Sequence, residues 1–432
     1  MTDVRPRLIG QNQEANMWFG FYAAGAAAIP GARQAPLIDF GRFKFSLEPK
    51  RTEKPVAQGN IATIQVMRGF AAMAVALYHT HVILSMKEYG GYEIYGNVAS
   101  LGWIGVNFFF VLSGFIILFA HGKDIGDSAS LGRYFWRRCS RVYPIYWIFL
   151  TLFIVMAMRG MGTHGVDLSP RALFSAYSLF QIMDAPPLPL KVAWTLLLEM
   201  KFYLVFATLI LWRRAGLVIM ALWALAILLR NTVEPFPDFA ALGPDWGLLS
   251  IWNIYFLFGM AACWTATRLT NASGPLFLVA GLAMLVYTMS GAPGQEFAMR
   301  MPPLLTQLAI CFAAIITGAV MCERRYGWKL PKWSLLLGNA SYSIYLVHSA
   351  AISAVAGINM KFGHGQVPSA VLFIGVFAIA VTAGVFVHLF LEKPILNLLR
   401  EKPRARIREA VPTVAATESP RLVFPVLAPR HG

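Results

Sequence analysis

Long apolar segments separated by short polar stretches recur along the chain. A helix needs about 20 mostly apolar residues, within a range of about 17–25, to cross the hydrocarbon core of a bilayer. Segments of approximately this length occur at 64–85, 102–120, 142–158, 193–212, 215–231, 250–267, 276–290, 304–322, 336–356 and 369–391. They are too long and too uniformly apolar for the alternating strands of a membrane barrel. The predicted fold class is therefore all-α, a polytopic membrane helical bundle with about ten transmembrane helices.

The composition supports a membrane protein over a soluble one. Hydrophobic residues make up 57% of the 432 residues and charged residues 13%, whereas soluble domains carry about 25% charged residues. This balance also excludes a disordered chain and a disulfide-rich secreted module. The four cysteines show no CxxC pairing, so neither a metal site nor a disulfide framework is predicted.

The formal net charge of +16 raises the question of nucleic-acid binding. For a polytopic protein the better interpretation is cationic loops retained on the cytoplasmic side, and no nucleic-acid partner is expected. Lysine and arginine are most concentrated in the connecting stretches 121–141 and 323–332, which lie on one side of the predicted bundle. The positive-inside rule then places both termini in the cytoplasm.

The bundle is predicted to be the only large domain. Residues 63–398 form it, after a cytoplasmic, largely unstructured or interfacial extension over residues 1–62. Residues 399–432 are basic and rich in proline, which predicts a disordered cytoplasmic tail. An alternative is that the apolar stretch 17–29 is the core of a signal peptide, but its removal would invert the charge bias.

Two ionisable residues share one face of the first predicted helix. Ionisable groups inside a bilayer cost about 2.5–3.5 kcal/mol each even on lenient scales, so they are candidates for function. Arg68 and His79 are eleven residues apart, which on a helix is three turns plus about 20°, or about 16 Å along the axis. Both residues also have a structural explanation that needs no function. Arg68 would extend its guanidinium group to the membrane interface, and His79 would serve in helix packing.

The second predicted helix combines aromatic and small residues. Phe109 is followed one turn later by Ser113 and Gly114, which suit either close helix packing or a wall beside a ligand. Ser113 is a weak candidate for a covalent acyl carrier, because the sequence indicates no base beside it. In the following connecting stretch, Arg138 and Arg141 are spaced to converge on one anion such as a phosphate, although arginines that only fix the topology would look the same.

Polar residues also interrupt two later segments. Glu199 is the only acid inside a predicted span, and it has to pair or be protonated. Its neighbours Phe202 and Tyr203 share its helix face. Near the end of the chain, Tyr345 and His348 fall along one face of another helix.

Taken together and in this order, these motifs resemble the acyltransferase-3 family, whose members O-acetylate bacterial surface and exported glycans. The resemblance covers about residues 62–395. It is carried by Arg68 and His79, Phe109, Phe110, Ser113 and Gly114, Arg138 and Arg141, Trp194 and Glu199, Tyr345 and His348, and the ending Glu392-Lys393-Pro394. Two departures are Asn107, where the family often has Asp, and Lys201, an unusual charge beside Glu199.

The resemblance implies an integral membrane O-acyltransferase that takes an acyl group, expected to be acetyl, from acetyl-CoA or another acyl-CoA. The acceptor would be a carbohydrate hydroxyl, as in an exopolysaccharide. His79 would act as the base, with Glu199 or His348 orienting it. Arg138 and Arg141 would hold the phosphates of the donor, while Arg68 would bind a phosphate or stabilise an oxyanion.

The donor's pantetheine arm would then pass Phe109, Ser113 and Gly114, and no metal is expected. Two other functions compete with this one. A transporter or flippase of a lipid-linked glycan would use the same buried charges, but should show broken helices or inverted repeats, which the sequence lacks. The second competing function is that of a sensor, or of a relative of the family that has lost catalytic activity.

Overall fold

The computed structural model describes residues 61–160, 166–180, 188–233, 247–290, 301–362 and 367–399. Within these ranges the chain is helical and contains no β-strand. The α-helices are α1 Ala62–Ser85, α2 Gly96–Ala99, α3 Ile104–His121, α4 Leu131–Met158, α5 Pro170–Ser178, α6 Trp194–Leu211, α7 Arg213–Val233, α8 Ile254–Arg268, α9 Gly274–Ser290, α10 Pro302–Tyr326, α11 Lys332–Asn339, α12 Ser341–Phe362, α13 Ser369–Val387 and α14 Lys393–Leu399. The predicted extension and tail, including the stretch 17–29, lie almost wholly outside the described residues.

The prediction of an all-α polytopic bundle is confirmed. In the described ranges, eight helical stretches are long and apolar enough to cross a membrane: Gly96–Asp124, Ser128–Met158, Lys191–Leu211, Arg213–Thr232, Asn271–Ser290, Pro302–Tyr326, Ser341–Phe362 and Ser369–Leu399. The other two predicted segments form α1 and α8. Helix α8 has only 15 residues, and α1 has 24 but carries an arginine and two histidines among its apolar side chains.

Helix α1 is enclosed by its neighbours, packing against α3, α11, α12 and α13. Two contacts of α1, one with α11 and one with the 3₁₀ turn Ser100–Trp103 that precedes α3, bring backbone against backbone. A Cβ atom on Gly338 of α11 would lie 2.0 Å from the carbonyl oxygen of Gln65, and one on Gly102 would lie 2.1 Å from that of Ala74. Only glycine fits at these positions, so they fix where α1 lies between its neighbours.

The start of α1 is capped by a distant carboxylate. Glu323, near the end of α10, accepts hydrogen bonds from the backbone N–H groups of Ala62 and Thr63, each 2.9 Å long. These N–H groups have no partner within the helix, and a negative charge is favourable at a helix N-terminus. The cap therefore fixes the end of α1 from which Arg68 projects.

Helix α4 corrects one sequence-based expectation. The stretch 133–141 was expected to be a connecting segment before a helix that begins near Pro144. Instead α4 begins at Leu131 and continues through Pro144 for 28 residues. Proline removes one intrahelical hydrogen bond and bends a helix without necessarily ending it. The arginines consequently project from a helix rather than from a loop.

The Glu-Lys-Pro ending lies at a change of helix type. Residues His388–Glu392 form a π-helical turn between α13 and α14. Buried Glu392 accepts hydrogen bonds from the Ser343 hydroxyl at 2.6 Å and from His388 Nδ1 at 2.7 Å. This carboxylate therefore joins the end of α13 to the start of α12.

Candidate active site

A cavity lies among helices α1, α3, α4, α6 and α12. Its empty volume is about 810 Å³, including space open to the outside. Of the residues that the sequence singled out as site candidates, the structure brings six to its walls: Arg68, Phe109, Ser113, Arg138, Arg141 and Glu199. His79, His348 and Gly114 are not among the lining residues.

Three arginines give the cavity a surplus of positive charge. Arg68 and Arg138 are each 8% exposed, and Arg141 is partly buried. Glu199 is the only acid among the lining residues, and no carboxylate in the described ranges forms a salt bridge with any of the three guanidinium groups. Arg68 donates one long hydrogen bond, 3.3 Å, to Gln65. Guanidinium groups that retain unused donors in a partly closed cavity suit a phosphate or another anion.

Glu199 is held by two hydroxyl groups. The Ser113 hydroxyl donates to its Oε1 atom at 2.8 Å, and the Tyr203 hydroxyl donates to the same atom. The sequence indicated no base beside Ser113, and the structure corrects this by placing a carboxylate there. Glu199 forms its described hydrogen bonds with these two residues and not with His79.

His79 instead meets His348 from α12. Nδ1 of His79 lies 3.2 Å from Nε2 of His348, and the ring centroids are 4.8 Å apart. Nδ1 of His79 also lies 3.0 Å from the carbonyl oxygen of Val75, as does Nδ1 of His348, at 3.2 Å, from that of Ile344. Carbonyl oxygens only accept hydrogen bonds, so we assign a proton to both Nδ1 atoms.

This assignment fixes the direction of the contact. Nε2 of His348 carries the lone pair of its ring. The single Nδ1–H of His79 is shared between this nitrogen and the Val75 carbonyl, and the Ser349 hydroxyl, 3.3 Å away, points to the same lone pair. Nε2 of His79 is then the unprotonated nitrogen of its ring. An imidazole held in this tautomer is suited to accept a proton.

Aromatic residues connect the cavity, whose arginine-lined part we call the arginine end, to the histidine pair. Tyr345 lines the cavity, and its ring centroid is 5.7 Å from that of His348 and 5.9 Å from that of Phe109. Its hydroxyl lies 2.9 Å from Thr195 Oγ1 and donates to the carbonyl oxygen of Val192 at 3.2 Å. We call Phe109 and Tyr345 the aromatic wall.

The two small residues of α3 have different surroundings. Ser113 faces the cavity, whereas Gly114 packs against α8, where an added Cβ would lie 2.1 Å from the carbonyl oxygen of Phe256. Of the two interpretations of this pair, a wall beside a ligand therefore fits the position of Ser113, and close helix packing fits that of Gly114.

Two residues near the cavity were not among the site candidates from the sequence: Tyr342, which stands inside the family segment that ends at His348, and His121, which stands in no motif. Tyr342 lines the cavity, and its hydroxyl donates to the carbonyl oxygen of Val142 at 2.7 Å. His121, at the end of α3, lies 2.6 Å from a guanidinium nitrogen of Arg138. Among the described residues, no group of three or more His, Cys, Asp or Glu side chains is placed to hold a metal ion.

Residues 61–389 match the family described as the acyltransferase domain, acyltransferase-3. The chain belongs to the acyltransferase-3 family. This assignment confirms the resemblance drawn from the motifs, and it makes the protein a membrane O-acyltransferase rather than a transporter. No solved structure matches the chain.

Several acyltransferase-3 relatives are similar over most of this chain. Exopolysaccharide production protein ExoZ of Rhizobium meliloti is 29% identical over 313 residues, covering 70% of this chain and 92% of ExoZ. Acyltransferase MdmB of Streptomyces mycarofaciens is 25% identical over 405 residues, covering 82% of this chain and 96% of MdmB. Peptidoglycan O-acetyltransferase OatA of Listeria monocytogenes is 23% identical, covering 70% of this chain but only 51% of OatA.

The two departures from the acyltransferase-3 pattern lie outside the cavity lining. Asn107 is fully buried, and its Nδ2 donates to the Tyr255 hydroxyl at 2.6 Å, which in turn donates to the carbonyl oxygen of Leu305 at 2.7 Å. Asn107 thus links α3 to α8 and α10. Lys201 is also buried, two residues from Glu199 on another face of α6.

Proposed function

We propose that this acyltransferase moves an acyl group, expected to be acetyl, from cytoplasmic acyl-CoA to a hydroxyl of a surface or exported glycan. The observation that carries the proposal is a cavity lined by three arginines that leads to Tyr345, which contacts one of two paired histidines. The arginine end suits the phosphates of the donor, and the histidine end suits proton transfer from the acceptor.

Donor binding is assigned to the arginine end. Arg138 and Arg141 project from the first turns of α4, three residues apart, so both reach the same part of the cavity. Arg68 lines the same cavity and lies about 16 Å along α1 from His79. That distance favours the phosphate role for Arg68 over stabilisation of an oxyanion beside His79.

His79 is assigned as the general base and His348 as the residue that orients it. The acceptor hydroxyl gives its proton to Nε2 of His79 as its oxygen attacks the thioester carbonyl. The C–S bond then breaks, and the coenzyme A thiolate takes the proton from the imidazolium. Nδ1–H of His79 stays directed to Nε2 of His348 throughout, which favours the protonated ring because the hydrogen bond becomes charge-assisted.

The acceptor class is inferred from the relatives. ExoZ is named for exopolysaccharide production and OatA for O-acetylation of peptidoglycan, and both polymers are glycans with free hydroxyl groups. We therefore assign a carbohydrate acceptor here. The positive-inside arrangement supports a bacterial inner-membrane location with the arginine end, and both termini, on the cytoplasmic side.

The test is the O-acyl content of surface polysaccharide in cells that contain the wild-type protein, His79→Ala or no protein. The proposal predicts that O-acyl groups present with wild type are lost with His79→Ala at equal membrane level. His81→Ala is the matched control, since His81 is on the same helix but packs toward Gly96. Unchanged O-acylation without the protein would contradict the proposal.

A further inference from the structure

A chain of three side chains runs from the surface into the cavity. Nδ1 of His121 lies 2.7 Å from Oδ2 of Asp124, and Nε2 of His121 lies 2.6 Å from Nη2 of Arg138. His121 is 1% exposed and Arg138 8%, whereas the Asp124 side chain is 24% exposed. None of the family motifs in the sequence includes His121 or Asp124.

The partners of His121 determine its protonation. Arginine only donates hydrogen bonds, so Nε2 of His121 has to present a lone pair to Arg138. Nδ1 then carries the proton and donates a hydrogen bond to the carboxylate of Asp124. Neutral His121 is therefore an acceptor of fixed direction, placed between a cation and an anion.

This contact occupies one part of the Arg138 guanidinium and leaves another unused. Nη2 is engaged by His121, but the buried Nε atom has no hydrogen-bond partner within the part of the chain that the structure describes. Arg138 also lines the cavity. A buried donor without a partner is costly, and more so in a charged group, unless a ligand supplies the acceptor.

Packing limits the movement of His121. The Tyr134 ring meets it edge to face, with ring centroids 4.9 Å apart and an interplanar angle of 85°. The Tyr134 hydroxyl donates to the carbonyl oxygen of Tyr203 at 3.0 Å, which connects this cluster to α6. Arg138 is thereby held at a defined angle to the cavity.

We propose that His121 and Asp124 are positioning residues for donor binding. His121 holds Arg138 so that its unused donors meet a phosphate of acyl-CoA, and Asp124 keeps the proton of His121 on Nδ1. The inference rests on the proposed function, in which Arg138 binds the donor. A cluster that merely joined α3 to α4 would affect stability without distinguishing donor from acceptor.

The experiment measures coenzyme A binding and acyl transfer by the full chain in lipid nanodiscs. His121→Leu removes the acceptor for Arg138, whereas the amide of His121→Gln can accept from Arg138 and donate to Asp124. We expect His121→Leu to weaken coenzyme A binding about tenfold, the effect of losing one hydrogen bond to a charged group, and to raise the KM for acyl-CoA equally. The kcat and the KM for the acceptor should remain near wild type, and His121→Gln should stay within about threefold of wild type.

A double-mutant cycle with Arg138→Ala tests whether His121 acts through Arg138. If it does, adding His121→Leu to Arg138→Ala leaves coenzyme A binding unchanged. Additive effects, or equal losses for His121→Leu and His121→Gln, would overturn the inference. Unchanged binding in Arg138→Ala alone would instead overturn the donor assignment.

Should His121→Leu fail to reach the membrane, Asp124→Ala serves as the second variant, because Asp124 is partly exposed and its removal leaves no buried gap. The inference expects weaker coenzyme A binding with an unchanged acceptor KM. Binding equal to wild type would overturn it.

Discussion

Nε2 of His348 lies 3.2 Å from Nδ1 of His79, although the two residues are 269 positions apart in the chain. Each ring also contacts a backbone carbonyl one turn earlier in its own helix through Nδ1. Those carbonyl contacts make His79 the donor and His348 the acceptor. The pair therefore leaves the lone pair of His79 on Nε2, which suits the proposed roles of His79 as the base and of His348 as the residue that orients it.

Replacement of His348 by Phe should lower kcat more than it affects donor binding. The lost hydrogen bond is charge-assisted once His79 is protonated, so the effect should be about 1.5–3 kcal/mol, or about ten- to hundredfold. Replacement of His79 by Ala should lower kcat about 10²–10⁴-fold. Single-turnover rates and coenzyme A titrations of both variants check this.

The double variant supplies the control for that prediction. Residues that act as a unit are not additive, so His79→Ala with His348→Phe should be no slower than His79→Ala alone. A further slowing of tenfold or more would place His348 in a role independent of His79.

Ser113→Ala should keep acyl transfer within about tenfold of wild type. In direct transfer Ser113 contributes one hydrogen bond to Glu199, about 0.5–1.5 kcal/mol. Initial rates at equal membrane level measure this. Complete loss of transfer, together with an acylated Ser113 in wild type trapped without acceptor, would show an acyl-enzyme route.

The aromatic wall should restrict the length of the acyl group. Tyr345 lines the cavity and contacts His348. Tyr345→Leu shortens this side chain and opens space for a butanoyl group in the cavity. Two additional methylene groups are worth about 1.6 kcal/mol when buried, and the kcat/KM ratio of butanoyl-CoA to acetyl-CoA should rise about tenfold. Tyr345→Phe keeps the ring and should leave that ratio unchanged, and an unaltered ratio in Tyr345→Leu would contradict the assignment.

Glu323→Ala should lower stability without changing the site. Removing both acceptors from the start of α1 should cost about 0.5–2 kcal/mol, seen as a lower Tm in nanodiscs. Glu323→Gln retains one carbonyl acceptor and should lose less. Equal Tm values in wild type and Glu323→Ala would show that the cap does not stabilise α1.

The sequence was most informative where a property follows from local spacing. Apolar run length predicted the helices, and the spacing of Arg68 and His79 predicted one face of α1, from which Arg68 lines the cavity and His79 meets α12. The start of α4 was misplaced because Pro144 suggested a helix start and the stretch of arginines a loop. Helix α8, with only 15 residues, and α1, which is long enough but carries an arginine and two histidines, show the limit of a single length criterion.

Contacts between distant segments could not be predicted from spacing. Ser113 and Glu199 are 86 positions apart, and nothing in the local pattern of either helix indicates that they meet. His121 had no signal, since a histidine at a helix end is common at a membrane interface. Its relation to Arg138 arises only in the folded chain, where the two side chains meet 17 positions apart.

The central claim is that acyl-CoA enters from the cytoplasmic, arginine-lined end and reacts at His79. Consumption of externally added acetyl-CoA by membrane vesicles of defined orientation tests it most directly. Inverted vesicles, whose cytoplasmic face is outward, should consume acetyl-CoA, whereas right-side-out vesicles and inverted vesicles with His79→Ala should not. Consumption by right-side-out vesicles alone would contradict both the orientation and the route of the donor.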